Sequence, residues 1–301
     1  MTRARAPGKV VISGAYAVLC GAPAIVSAVS RYVTADTSRS AMFITDEVRA
    51  ALAQDEQAPW FDASELRENE RKLGLGSSAA ILVASLFALE RARSPGDDIA
   101  LTRTRVLERA AAAHRKAQGG GSGVDVAAST WGGTLVYQLG PTGATSRPVQ
   151  LPGELEVEVW TCPTSASTPE LLAAVARLAQ QSPDLHARWL GAQILAAHDA
   201  ALSVTRSDAR AFIRALRAQQ RALSGLGQAA AVPIVTPELA ALAPRAEVEG
   251  GVLLPAGAGG GDIALFVGRA PSSADLRAGL EKHAHRRLAT ELAAPGVAAL
   301  G

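Results

Sequence analysis

Cysteine is nearly missing from this chain; Cys20 and Cys162 are the only two. They make no disulfide framework and have no zinc-ligand spacing, and they fit a reducing, cytoplasmic setting. Aromatic residues are also scarce, at 4%. A core must therefore be filled by Ala, Leu and Val, which a 48% hydrophobic content supplies. An excess of either charge is absent too. Thirty basic and 28 acidic residues leave a formal +2, which gives no reason to expect a nucleic acid or an anionic membrane as partner. Any recognition of anions must be local. No apolar run is long enough to span a bilayer: Ala79 to Leu89 falls well short of the roughly 20 residues required. The basic start Met1–Lys9, followed by apolar Val10–Cys20, imitates a secretory signal. No small-residue cleavage pattern follows, however, and the apolar pattern continues through Ala24-Ile25-Val26, so the stretch reads as part of the fold.

Several phosphate-binding signatures are missing as well. There is no G-x-x-x-x-G-K-[ST], which excludes a P-loop enzyme. The H-R-D and D-F-G elements of protein kinases do not occur. No G-x-G-x-x-G joins a first strand to a helix, which weakens a dinucleotide reading.

What the chain has is glycine in clusters. Gly74-Leu75-Gly76-Ser77-Ser78-Ala79 runs straight into an apolar helix-forming segment, Ala79 to Arg93. The glycines permit positive φ and close approach of a ligand. The start of the helix presents unpaired N–H groups and the positive end of its dipole, so the stretch has the chemistry of a phosphate cradle. The plainer alternative is a capped helix that binds nothing. Two further clusters, Gly119-Gly120-Gly121-Ser122-Gly123-Val124-Asp125 and Gly257-Ala258-Gly259-Gly260-Gly261-Asp262, each end in an aspartate. Together they point to one polyphosphate site built by chain-distant loops.

The 301 residues make one large domain or two ordinary ones. Strands are expected at Lys9–Gly14, Ala24–Thr34, Met42–Ile44, Thr134–Tyr137, Leu155–Thr161, Gly251–Leu254 and Asp262–Val267. Helices are expected at Asp46–Gln54, Ala79–Arg93, Ile99–Lys116, Val126–Thr130, Pro169–Gln181, Pro183–Ser203, Asp208–Leu223, Pro237–Leu242 and within Ser272–Leu292. Asp62–Lys72 reads as a surface loop and Pro163–Thr168 as a hydroxyl-rich loop. Turn residues at Gly140-Pro141-Thr142-Gly143 and Leu151-Pro152-Gly153 place a boundary near residue 150, dividing the chain into 1–150 and 151–301. Strands and helices mix without regular βαβ alternation, which favours the α+β class.

In order along the chain, Ala6-Pro7-Gly8-Lys9 leading to Gly14, Leu73 to Ala80, and Gly257 to Asp262 resemble the three signature motifs of the GHMP kinase superfamily. Within it, the chain is most similar to the phosphomevalonate kinases. That similarity rests on Asp62-Ala63-Ser64, on Ala117-Gln118-Gly119 through Ala128, on Trp160-Thr161 with Ser165-Ala166-Ser167-Thr168, and on Thr236-Pro237-Glu238-Leu239. The resemblance implies the GHMP kinase fold: an N-terminal ribosomal S5 domain 2-like half and a C-terminal ferredoxin-like half, with ATP and substrate in the cleft between. It implies ATP-dependent conversion of 5-phosphomevalonate to 5-diphosphomevalonate in the mevalonate route to isoprenoids, with Mg2+ as cofactor.

The resemblance also implies roles. Asp125 and Lys9 are catalytic. Asp125 serves either as general base or as an electrostatic orienter of the acceptor; the plainer reading is a helix cap. Lys9 either lowers the pKa of an acceptor hydroxyl or neutralises charge on the moving phosphoryl group; the plainer reading is a solvated lysine at a strand start. Gly74, Leu75, Gly76, Ser77, Ser78 and Ala79 hold the nucleotide, and Ser78 binds the metal. Lys9, Ser122, Gly123, Ser165, Ser167, Thr168, Gly257, Ala258, Gly259 and Gly260 face the substrate. Further cations for its anionic groups are sought among Lys72, Arg71, His114, Arg115 and Lys116, Lys72 first. The partner is a small phosphorylated molecule, and the oligomeric state is a monomer or homodimer.

The chain departs from relatives at three places. Leu254-Pro255-Ala256 replaces the common Lys-Pro-Ser, Ala15 replaces an acid of mevalonate kinases, and His114 falls near the position of their magnesium-binding Glu. Two alternatives stay open. One is another GHMP kinase, acting on mevalonate or homoserine. The other is a GHMP scaffold that senses nucleotide or metabolite without turnover.

Overall fold

The computed structural model describes residues 1–68, 71–141, 143–165 and 167–300. Thr142 of the expected turn, Ala166 of the hydroxyl-rich loop, and residues 69 and 70 of the expected surface loop lie outside it. The chain runs β1 (Arg3–Ser13), β2 (Ala24–Ser40), α1 (Asp46–Ala51), β3 (Pro59–Asp62), β4 (Arg67–Glu68), β5 (Arg71–Lys72), α2 (Ser77–Arg93), α3 (Ile99–Gln118), α4 (Val124–Trp131) and β6 (Thr134–Gly140). It continues β7 (Gly143–Val149), β8 (Glu156–Thr161), α5 (Thr168–Gln181), α6 (Pro183–Thr205), α7 (Ala209–Ala229), α8 (Pro237–Val248), β9 (Val252–Pro255), β10 (Ile263–Gly268), α9 (Ala274–Lys282), β11 (Arg286–Arg287) and β12 (Ala298–Leu300). Helices and strands mix without regular βαβ alternation, as expected of the α+β class.

The chain divides into two compact units. The first holds residues 1–10, 26–135 and 290–301, and the second holds 11–25 and 136–289. Residue 150 lies within the second.

In the first unit the sheet order is β12-β1-β2, with β3 also on β2. The last strand pairs antiparallel with the first, Arg3 opposite Leu300. Helix α2 is apolar on nearly every side, and each residue from Ala79 to Ala88 is buried. Such a helix belongs inside a fold, and α1, α3 and α4 pack around it. Asp98 starts α3 by accepting the N–H groups of Ala100 and Leu101 at 2.8 and 3.0 Å.

The second unit has the antiparallel sheet β11-β8-β10-β9. Trp160, Leu253, Ala264 and Phe266 on this sheet join Leu223, Leu226, Leu239 and Leu276 of the helices in one apolar core. A Cβ on Gly225 of α7 would lie 2.5 Å from the Trp189 ring of α6, so the glycine lets the indole lie flat on the neighbouring helix.

Several stretches differ from expectation. The Asp62–Lys72 stretch, expected as a surface loop, buries Leu66 and carries the paired strands β4 and β5. Met42 and Phe43 are exposed and in no strand, with no strand partner among the described residues. The polar run Gly143–Val149 is a strand, β7 beside β6, although it lacks an apolar face. The expected final helix stops at Lys282, because Ala284 takes φ +58 and the N–H of His285 turns back to the Leu280 carbonyl at 3.1 Å. Val10–Ser13 completes β1, and Ala17–Cys20 forms a single 3-10 turn. Among the described residues no helix is long and apolar enough to cross a membrane.

Candidate active site

In the first unit, β1, the loop before α2, and the ends of α3 and α4 come together. Gly76 caps α2 with φ +76, a left-handed conformation that suits glycine. It directs the first-turn N–H groups of Ser77, Ser78 and Ala79 outward, where the helix itself offers them no acceptor. Neither the Ser77 nor the Ser78 hydroxyl makes a hydrogen bond among the described residues; Ser77 is buried and Ser78 half-buried. Strand β1 is locked to this loop. The Lys9 N–H donates to the Leu75 carbonyl at 2.8 Å, and a Cβ on Gly8 would lie 2.8 Å from that same oxygen. The Lys9 side chain crosses Gly76 so closely that a Cβ there would lie 2.9 Å from Lys9 Cε.

Helix α4 is tied to the same strand by the Ser129 hydroxyl, which donates to the Pro7 carbonyl at 2.8 Å. Asp125 stands in its first turn, and its Oδ1 accepts the Val126 N–H at 3.0 Å. Its Oδ2 lies 3.4 Å from Nε2 of His114, on α3. Burial alone would raise the Asp125 carboxyl. The contact and charge of His114, the Lys9 ammonium and the Val126 N–H outweigh it and lower the carboxyl to about 2. Burial would in turn lower His114, but Asp125 and the Glu47 carboxylate outweigh both that and the opposing charge of Lys9, and raise it. Glu47, buried at the start of α1, accepts from Gln118 Nε2 at 3.3 Å. Ser122 and Gly123 lead into α4, Gly123 as its N-cap with φ +73. Gly119, Gly120 and Gly121 border open space.

The remaining expected residues gather in the second unit. Gly257, Gly259, Gly260 and Gly261 all have positive φ. The Gly260 N–H donates to the Ile234 carbonyl at 2.9 Å, and a Cβ on Gly259 would lie 2.1 Å from that oxygen. Ser165 donates to Asp262 Oδ1 at 3.0 Å, which joins the hydroxyl-rich loop to the glycine loop. Ser167 and Thr168 start α5. Asp262 is thus a turn residue with a partner.

The other suggested cations fall outside these groupings. Lys72 and Arg71 stand in β5, paired with β4, and Arg115 and Lys116 are exposed in the last turn of α3. His114 is buried and turned toward Asp125. Leu254, at the common lysine position, is fully buried opposite Leu265.

Some contributors had no sequence signal. Glu47 belongs to no motif, and its nearness to His114 depends on helix packing. The Tyr16 hydroxyl donates to the Ala258 carbonyl at 2.7 Å, and burial pushes the phenol up. Gln219 accepts the Ser13 hydroxyl and the Gly14 N–H at 2.7 and 3.1 Å, fixing the end of the first motif.

Residues 59–133 match the family described as GHMP kinases N terminal domain. The chain is 27% identical to a phosphomevalonate kinase of Streptomyces sp. (strain CL190), over 90% of this chain and 91% of that one. A Lin0012 protein from Listeria innocua superimposes with TM-score 0.84 at 22% identity, over 99% of both chains. Streptococcus pneumoniae phosphomevalonate kinase, in complex with phosphomevalonate and AMPPNP, superimposes with TM-score 0.78 at 18% identity, over 97% of this chain and all of that one.

Proposed function

The chain belongs to the GHMP kinase superfamily, and from that premise we propose that it transfers the γ-phosphoryl group of ATP to 5-phosphomevalonate, giving ADP and 5-diphosphomevalonate. The observation that carries this reading is the convergence of Lys9, Gly76 and Asp125 beside the start of α2. The nucleotide phosphates bind the free N–H groups of Ser77, Ser78 and Ala79, where the helix dipole favours negative charge. The Ser78 hydroxyl suits Mg2+, which takes oxygen ligands and keeps several waters; when bound it neutralises charge on the phosphates. Lys9, pinned by its own backbone and by Gly76, places its ammonium toward the transferred group.

The acceptor is a phosphate oxygen. A phosphomonoester has its second pKa near about 6 and is largely ionised at neutral pH, so no proton needs to be removed. Asp125, whose carboxyl lies far below neutrality, therefore orients the acceptor instead of serving as its base. The glycine loop 257–261, with Ser165, Ser167 and Thr168, holds the substrate's polar groups. Catalysis is mainly positioning and charge neutralisation.

The test is ADP release by the purified protein with ATP, Mg2+ and each of mevalonate, 5-phosphomevalonate, homoserine and galactose. ADP formed with 5-phosphomevalonate alone, and lost in Asp125→Ala, is the expected result. ADP with a different acceptor moves the substrate. No ADP with any of them overturns the reading.

A further inference from the structure

His114 is a buried imidazole, 2% exposed, and neither ring nitrogen makes a regular hydrogen bond among the described residues. A polar ring buried in this way is costly unless charge compensates it. The compensating oxygen is Asp125 Oδ2, 3.4 Å from Nε2. Since Oδ1 of the same carboxylate accepts the Val126 N–H, Asp125 is held at both oxygens, by α4 on one side and by α3 on the other. The charged groups facing His114 are Asp125 from α4, Glu47 from α1 and Lys9 from β1. With a protonated imidazole the four groups carry two positive and two negative charges.

On this geometry we infer that His114 is a positioning residue: it fixes the plane of the Asp125 carboxylate and offsets its charge, so that an anionic acceptor oxygen can approach. The inference rests on the proposed phosphate acceptor. A carboxylate without such a counter-ion would repel a phosphomonoester, whereas a neutral hydroxyl acceptor would impose no such demand. His114 does not touch the substrate in this role; it acts through Asp125.

Two measurements test the inference. The first follows the imidazole 15N signals of the whole protein against pH, in the wild type and in Asp125→Asn, with the His114 signal identified by its loss in His114→Gln. The His114 titration is expected above the ordinary histidine value in the wild type and lower in Asp125→Asn. A titration unmoved by Asp125→Asn overturns the inference. If His114→Gln does not fold, the signal that moves in Asp125→Asn still identifies the residue.

The second compares kcat and KM for 5-phosphomevalonate in His114→Gln, Asp125→Asn and the double variant. His114→Gln is expected to lower kcat about tenfold or more, the scale on which outer-shell partners act. It should leave the KM for ATP within about threefold, since the nucleotide loop is untouched. The double variant should be no worse than Asp125→Asn. A lower melting temperature with unchanged kcat, or losses that multiply in the double variant, overturns it. A wild type inert toward 5-phosphomevalonate sinks the proposed reaction instead. The imidazole titration, which needs no acceptor, tells that failure from this one.

Discussion

Lys9 and Gly76 are fitted to each other. The lysine stem lies across the glycine so closely that any side chain at Gly76 would displace it, a Cβ lying 2.9 Å from Cε and 3.1 Å from Cγ. The glycine is also left-handed, at φ +76. A single methyl group thus disturbs the lysine and the turn into α2 together. Gly76→Ala is expected to cost roughly 1–3 kcal/mol through backbone strain, read as a lower melting temperature. It should lower kcat/KM for ATP about a hundredfold, the scale of a misplacement near 1 Å. Steady-state kinetics on the folded variant check this; near-normal kcat/KM would mean that the lysine does not depend on the glycine.

The His114–Asp125 pair makes stability depend on pH in a defined window. The Asp125 carboxyl is lowered from 3.8 to about 2 in the folded state. Its contribution is therefore present above the unfolded value and lost as pH falls toward 2. His114 is raised in the folded state, so its contribution is full below the unfolded value, near about 6.5, and is lost as pH rises through the folded one. Both describe one interaction, worth about 2 kcal/mol at most. Wild type should exceed Asp125→Asn in stability by the largest margin between roughly pH 4 and 6. The margin should shrink on both sides. Urea unfolding of both proteins from acid to alkaline pH measures it, and a margin independent of pH would show that the pair does not form in solution.

The parts of this molecule legible in its sequence are those whose cause is local. Gly76, Gly123 and Gly259 stand at positive φ, as glycines beside hydroxyls and helix starts suggest. Helix α2 follows from an unbroken apolar run, and α3 from the spaced apolar positions Leu101, Val106, Leu107 and Ala110; its cap at Asp98 emerges only in the structure. The parts that escaped depend on distant partners. Strand β12 exists because Arg3 lies opposite Leu300, and no local pattern records that pairing. The turn at Ala284 interrupts a composition that reads as helix. His114 reads as one more cation of α3 until α4 packs beside it and supplies Asp125. In the same way Leu254 reads as a lost cation until β9 and β10 enclose it.

In the second unit, Tyr16 fixes the third glycine loop through one bond, its hydroxyl to the Ala258 carbonyl at 2.7 Å. The tyrosine backbone itself has a positive φ, 60, so the ring is held in place against a local preference. Tyr16→Phe keeps the ring in the apolar core and removes only the donor. The loss is about 1 kcal/mol or somewhat more, since the carbonyl loses its partner. If the loop binds the acceptor, the KM for 5-phosphomevalonate should rise about threefold or more, while the KM for ATP stays unchanged. Equal changes in both KM values would assign Tyr16 a general structural role.

Leu254 tests whether the departure from the common Lys-Pro-Ser is a deficit or an adaptation of the core. The residue is fully buried in β9, opposite Leu265 of β10. A lysine there would have to leave its charge on the face of the sheet that Leu254 shares with Leu265 and Val159, both buried. An uncompensated buried charge costs upward of about 3 kcal/mol. Leu254→Lys is therefore expected to lower the melting temperature sharply and to reduce activity, where a missing catalytic cation would predict a gain. Thermal unfolding and ADP release on the same preparation decide it. A stable variant with higher kcat would mean that the strand can turn this position out of the core and that the chain works with one cation fewer than its site can accept.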